Sequence, residues 1–166
     1  MKRRRLLALT LALVFGSSLA AQQTVPPPAP LYAPVTLKRT LEIIQRAQRE
    51  IWLLAPTLRD VNVYRALRQR VASGVILRLL IANRAGYTAY ELELARAANV
   101  DARWLKERFA TALLIVDDRA AVISPVLSGA INNASSQPSI EVSRPEEIAP
   151  MAATLKQLFQ TARRVR

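Results

Sequence analysis

The residues of this chain best placed to carry chemistry are the adjacent carboxylates Asp117 and Asp118. They stand between two apolar runs, 113–116 and 120–123, as expected for two strands joined by an acidic turn. Paired carboxylates can act as general acid and base. Aspartate is also a common turn residue, and adjacent strand residues point to opposite faces. The turn interpretation is therefore favoured over a catalytic pair.

Composition excludes most familiar kinds of active site. The 166 residues include no histidine and no cysteine, so imidazole bases, thiol nucleophiles, disulfides and thiolate metal sites are excluded. A metal would need an oxygen-only site, and only 12 aspartates and glutamates are available. We therefore expect neither a metal nor a cofactor. The length and the 51% hydrophobic content suit one domain with a core.

The N-terminus has the pattern of a targeting segment. Residues 1–20 combine a basic stretch, Lys2–Arg5, an apolar run, Leu6–Phe15, and small residues before Ala21. The apolar run is too short to cross a bilayer comfortably as a mature helix. We expect a cleaved signal peptide and a secreted or periplasmic protein without a transmembrane segment in its mature form. The alternative is an uncleaved N-terminal anchor.

Residues 21–34 are rich in proline and predict an extended linker ahead of a single domain at 35–166. Three predicted helices begin at recognisable N-terminal signals. These are Thr36, a capping box from Thr88 to Glu91, and Ser143. Gly74 marks the end of another. The apolar strand segments are 51–55, 75–81, 100–105, 113–116, 120–123 and 140–142. This order predicts an α/β fold with a mixed, mainly parallel sheet sandwiched between helices.

Three local strings, at 48–54, 72–81 and 113–119, resemble the phospholipase D superfamily, in particular its small secreted single-motif nucleases. The family motif is His-x-Lys, four residues, then Asp. With the motif Asp set on Asp117, Ala110 stands at the His position and Ala112 at the Lys position. The family's later Gly-Ser-x-Asn reads Ser-Pro-Val-Leu at 124–127.

The resemblance implies an inactive site. In the family, the His takes the phosphoryl group, a second His protonates the leaving group, and the Lys holds phosphate oxygens. Residues two apart on a strand share one face, so Ala110 and Ala112 would present two methyl groups there. Alanine can neither carry a phosphoryl group nor move a proton. We expect a pseudoenzyme; the alternative is a divergent phosphodiesterase with a non-histidine mechanism.

The net charge of +12, which falls to +8 when the four basic residues of the signal peptide are removed, favours contact with nucleic acid or another anionic surface. The candidate phosphate contacts are Lys106, Arg108, Thr111, Arg119, Ser128, Asn132 and Asn133. The alternative is that these are solvated charges and a polar loop. The resemblance also implies a homodimer through the former active-site cleft. Its interface would include Phe109, Ala110, Ala112 and the Ser124-Pro125 segment. A dimeric scaffold without a ligand is the third hypothesis.

Overall fold

The residues that the structure describes form one eight-stranded sheet with four helices. A computed structural model describes residues 33–82, 88–107, 109–124, 127 and 139–165. The strands are β1 (Ala33–Val35), β2 (Glu50–Ala55), β3 (Ile76–Ile81), β4 (Val100–Trp104), β5 (Ala112–Val116), β6 (Ala120–Ser124), β7 (Ser139–Val142) and β8 (Arg163–Arg164). The helices are α1 (Leu37–Gln45), α2 (Val61–Ala72), α3 (Ala89–Ala95) and α4 (Pro145–Thr161). None of the helices in these ranges is long and apolar enough to cross a membrane.

The strand order is β1-β7-β6-β5-β2-β3-β4-β8. The predicted mixed α/β sheet between helices is confirmed, but its parallel part is smaller than expected. Only β2, β3 and β4 pair in parallel, and the other neighbours in the described sheet are antiparallel. A parallel pair needs a long crossover, and the link from β4 to β5 holds seven residues, 105–111. The short link returns β5 antiparallel beside β2.

Two hydrophobic clusters cover the two faces of the sheet. Helices α1, α2 and α3 pack on one face, where Leu53, Leu79 and Leu114 are completely buried. Helix α4 covers the other face and packs Leu155 and Phe159 against Trp52 and Ile115, with the rings of Trp52 and Phe159 5.3 Å apart. Each fully buried side chain of this size contributes about 1.5–3 kcal/mol. The central strands are therefore the rigid part that positions the residues around them.

Most predicted helix ends are confirmed. The Thr36 hydroxyl accepts from the backbone of Arg39, and Thr88 and Glu91 form the complete capping box. Gly74 has a φ of +96°, which glycine adopts easily, and it ends α2 as predicted.

The predicted cap of the last helix is wrong. The residue before α4 is Arg144 rather than Ser143, and no side chain caps the helix there. Pro145 stands in the first turn as predicted, and its lack of an N–H leaves one donor fewer to satisfy. The capping residue is therefore less necessary at this helix than at α1 or α3.

One edge strand of the sheet begins before the predicted domain, and the other could not be predicted from its pattern. β1 begins at Ala33, inside the linker predicted for 21–34, and pairs with β7. β8 consists of two arginines paired with β4 and carries no apolar pattern that could have predicted it. Both are short edge strands that pair with the sheet through their backbones, and both side chains of β8 are exposed. The predicted signal peptide and the rest of the linker lie outside the described residues.

Candidate functional site

The two alanines at the catalytic motif positions do not share one surface. Ala112 opens β5, pairs with Ser124 and is completely buried in the cluster that faces α1, α2 and α3. Ala110 is exposed, two residues before the strand begins. The alternation rule that predicted a common face holds only inside a strand. The position equivalent to the motif lysine is therefore part of the hydrophobic core.

The stretch equivalent to Gly-Ser-x-Asn is also tied into the fold. The Ser124 hydroxyl lies 2.6 Å from the hydroxyl of Ser139, and both side chains are buried. Leu127 is buried in the core at the end of the four-residue string, and positions 125 and 126 lie outside the described residues. Sequence reasoning missed Ser139, because only the β6–β7 pairing brings it to Ser124.

Asp117 has a larger role than a turn residue. It lies in the predicted turn, where both Asp117 (φ 53°) and Asp118 (φ 56°) adopt the left-handed conformation. The Asp117 carboxylate, 7% exposed, accepts backbone N–H bonds from Gln48 and Arg49, both at 2.8 Å, and from Glu50 at 2.9 Å. It therefore fastens the β5–β6 hairpin to the start of β2. Asp118 turns outward to the Lys156 ammonium, 3.2 Å away.

The surroundings of Asp117 keep its carboxylate ionised. Burial by itself raises the pKa of Asp117, but the backbone N–H groups of Glu50, Gln48 and Arg49, together with the Arg49 charge, outweigh it and lower the pKa. Hydrogen bonds to three N–H donors occupy the lone pairs that a general base would use. Asp117 is thus suited to holding the hairpin rather than to transferring protons.

An apolar groove of about 460 Å³ lies between α4 and the end of β5 that carries Ala112. Its described lining residues are Leu54, Phe109, Thr111, Ala112, Leu113, Ile123, Pro150, Met151, Thr154, Leu155 and Leu158. None of them is ionisable, and two threonine hydroxyls are the only polar side-chain groups among them. The pattern of α4 predicts Met151 and Leu158 as buried, whereas both are only partly buried and open onto the groove.

The three candidate phosphate contacts that the structure describes do not converge on this groove. Thr111 lines it, whereas Lys106 is exposed and lines a separate pocket with Arg163. Arg119 lies in the turn at the opposite end of β5, about 15 Å away at 3.3 Å per residue. The other four candidates lie outside the described residues: Arg108, Ser128, Asn132 and Asn133.

No protein-family model and no curated protein sequence matches this chain. Solved structures do match its fold. Nuc from Salmonella typhimurium, a phospholipase D family member, has a TM-score of 0.61 at 14% identity over 76% of this chain and 88% of its own. NucT from Helicobacter pylori has a TM-score of 0.64 at 11% identity over 78% and 90%. The archaeal chromatin protein TrmBL2, whose structure shows a mode of DNA binding, has a TM-score of 0.59 at 17% identity over 85% and 57%.

Proposed function

We propose that this chain, which has a phospholipase D-like fold, is an exported, non-catalytic binding or assembly module. One observation carries the proposal: the groove beside the motif positions has no ionisable side chain among its described lining residues. Phosphodiester hydrolysis by this fold requires a nucleophile and a proton donor within hydrogen-bond reach of the substrate. Ala110 and Ala112 supply neither. The Asp117 carboxylate lies at the other end of β5, bonded to three backbone N–H groups.

The absence of hydrolysis is the expected result for bis(para-nitrophenyl) phosphate, a diester whose cleavage releases a coloured product. Losing the nucleophile and the proton donor of such a site typically costs several kcal/mol of transition-state stabilisation. The protein should therefore release para-nitrophenol no faster than buffer does. Turnover that depends on the protein would instead favour the divergent phosphodiesterase.

The groove is better suited to a protein surface than to a phosphate. Four apolar side chains along the groove are partly exposed: Phe109, Leu113, Met151 and Leu158. A protein surface that covered them would remove apolar area from water, which favours association. We take a second copy of the chain as the occupant, because the resemblance to single-motif nucleases implies pairing across the former cleft. Ala110, exposed and small, lies in the chain between Phe109 and Thr111 of the groove lining, so it would not obstruct the close approach of such a partner.

A charge on the rim of the groove should prevent this self-association. Thr154 is exposed on α4, lines the groove, and bonds only to the Pro150 carbonyl of its own helix in the described contacts. We expect Thr154→Asp to weaken self-association by at least about tenfold, because an unpaired carboxylate would have to be buried. Gln157→Asp is the matched control, since Gln157 is exposed on the same helix and does not line the groove. Sedimentation velocity at micromolar concentration measures the association.

Two results would contradict assembly through the groove. One is a wild-type protein that remains monomeric at these concentrations. The other is equal self-association of the Thr154→Asp and Gln157→Asp variants, which would show that the interface does not include the groove.

Nucleic acid or another polyanion is the alternative partner. Three observations support it: the net charge of +8 that remains when the four basic residues of the predicted signal peptide are subtracted from +12, exposed arginines such as Arg65 and Arg96, and the likeness in fold to TrmBL2. Sedimentation velocity with added duplex DNA, at two salt concentrations, distinguishes DNA binding from self-association. DNA binding should weaken as salt rises, because phosphate contacts release counterions. No binding at low salt would count against it.

A further inference from the structure

The edge of the sheet formed by β3, β4 and β8 brings three arginines around one aspartate. Asp101 lies 3.5 Å from Arg78, 3.2 Å from Arg103 and 3.8 Å from Arg164, measured between guanidinium nitrogens and the carboxylate. The register produces the cluster, because Arg78 pairs opposite Asp101 and Arg103 pairs opposite Arg164. One carboxylate among three guanidinium groups leaves a surplus of two positive charges.

Arg103 and Asp101 form a complete pair by themselves. Arg103 donates from Nε and from one terminal nitrogen to the two Asp101 oxygens, at 3.4 and 3.2 Å. Its other terminal nitrogen donates to the Phe159 carbonyl at 2.8 Å, and the guanidinium lies 4.1 Å from the centre of the Phe159 ring. Arg103 is therefore fixed, and its charge is neutralised by Asp101.

The surplus charge belongs to Arg78 and Arg164. Their contacts with Asp101 are long, and their side chains are 34% and 73% exposed. Both line an open cavity of about 500 Å³, together with Asn99 and Asp101. Asp101 is the only carboxylate among the described lining residues. Each guanidinium has five N–H donors in a planar fork that fits phosphate oxygens. Among the described residues, Asp101 is the one acceptor in contact with Arg78 and Arg164, so most of their donors remain available to an anion.

We propose that this cavity binds a phosphate dianion, either free phosphate or a phosphomonoester, between Arg78 and Arg164. Two negative charges match the two surplus positive charges, whereas a phosphodiester carries only one. The second ionisation of a phosphomonoester has a pKa of about 6, so binding should be stronger above that pH than below it. The cavity lies at the start of β3 and β4, and the apolar groove lies at the end of β2. The proposal is thus independent of the proposed function.

Isothermal titration calorimetry with inorganic phosphate at low salt tests the site in the full chain. The wild-type protein should bind, and Arg78→Gln and Arg164→Gln should each weaken binding by about tenfold, because each removes charge-assisted hydrogen bonds. Arg163→Gln is the matched control. It removes the same charge from the same strand, but Arg163 does not line this cavity. Its phosphate affinity should equal that of the wild type.

Several outcomes would overturn the site. Absence of phosphate binding by the wild-type protein is one, and equal affinities of Arg164→Gln and Arg163→Gln are another. If Arg78→Gln unfolds, the Arg164→Gln comparison decides alone, because that side chain is 73% exposed. Phenyl phosphate and dimethyl phosphate test the charge requirement. The monoester should bind like inorganic phosphate and the diester at least about tenfold more weakly; equal binding of the two would contradict a dianion site.

Discussion

Replacing Asp117 by asparagine is expected to destabilise the fold by about 2–4 kcal/mol. One carboxylate oxygen accepts from Arg49 and Glu50, and the other accepts from Gln48. In asparagine one of these oxygens becomes an amide NH₂, which would face a backbone N–H donor and leave it unsatisfied in a buried position. Asparagine also tolerates the left-handed conformation at this position, so the substitution isolates the loss of the acceptor from backbone strain.

Asp118→Asn is the matched control. Asp118 shares the left-handed conformation, but its carboxylate is exposed and meets only Lys156 in the described contacts. Exposed ion pairs contribute about 0–1 kcal/mol, so this variant should unfold close to the wild type. Urea denaturation measures both free energies of unfolding. A difference of less than about 0.5 kcal/mol between the two variants would show that Asp117 does not fasten the hairpin to β2.

The same residue gives the wild-type protein part of its acid sensitivity. The pKa of Asp117 is lowered in the folded chain, so its contribution to stability is complete above the unfolded value of about 3.9. It is lost as pH falls from there through the lower folded pKa. Urea denaturation between about pH 6 and pH 2.5 should therefore show a steeper loss of stability for the wild type than for Asp117→Asn. Parallel curves would contradict this assignment.

Introducing a lysine at Ala112, the predicted counterpart of the motif lysine, should cost more than about 3 kcal/mol. Ala112 is 0% exposed and packed in the core cluster, so Ala112→Lys would overpack the core and bury an unpaired charge. Ala110→His, at the exposed motif position, should change the free energy of unfolding by no more than about 0.5 kcal/mol. This contrast would show that position 112 belongs to the core and position 110 to the surface.

The Ala112→Met variant distinguishes the cost of added side-chain volume at this position from the cost of a buried charge. A methionine of similar length should cost about 1–3 kcal/mol by overpacking alone, and the further cost of lysine reports the buried charge. The three variants can be compared by urea denaturation. If Ala112→Lys is as stable as the wild type, position 112 is open to solvent and does not belong to the core.

Local signals made much of the fold predictable. The Thr88 to Glu91 capping box involves neighbours three residues apart, and the strand runs show their apolar pattern directly. The role of Asp117 was not predictable, because its partners lie 67–69 residues earlier in the chain. Likewise, the arginine cluster at Asp101 depends on the register of three strands. Ala112 was misplaced because the alternation rule was applied from Ala110, before β5 begins.

We propose that this phospholipase D-like fold works without phosphodiesterase chemistry. The most direct test of this claim is the release of para-nitrophenol from bis(para-nitrophenyl) phosphate by the purified chain, measured against protein concentration. A rate equal to that of buffer at every concentration is the predicted result. Turnover that rises with protein concentration, and that changes in Thr111→Val, would contradict the claim. Thr111 supplies a hydroxyl to the groove, so its removal would alter catalysis there and leave a contaminating nuclease unaffected.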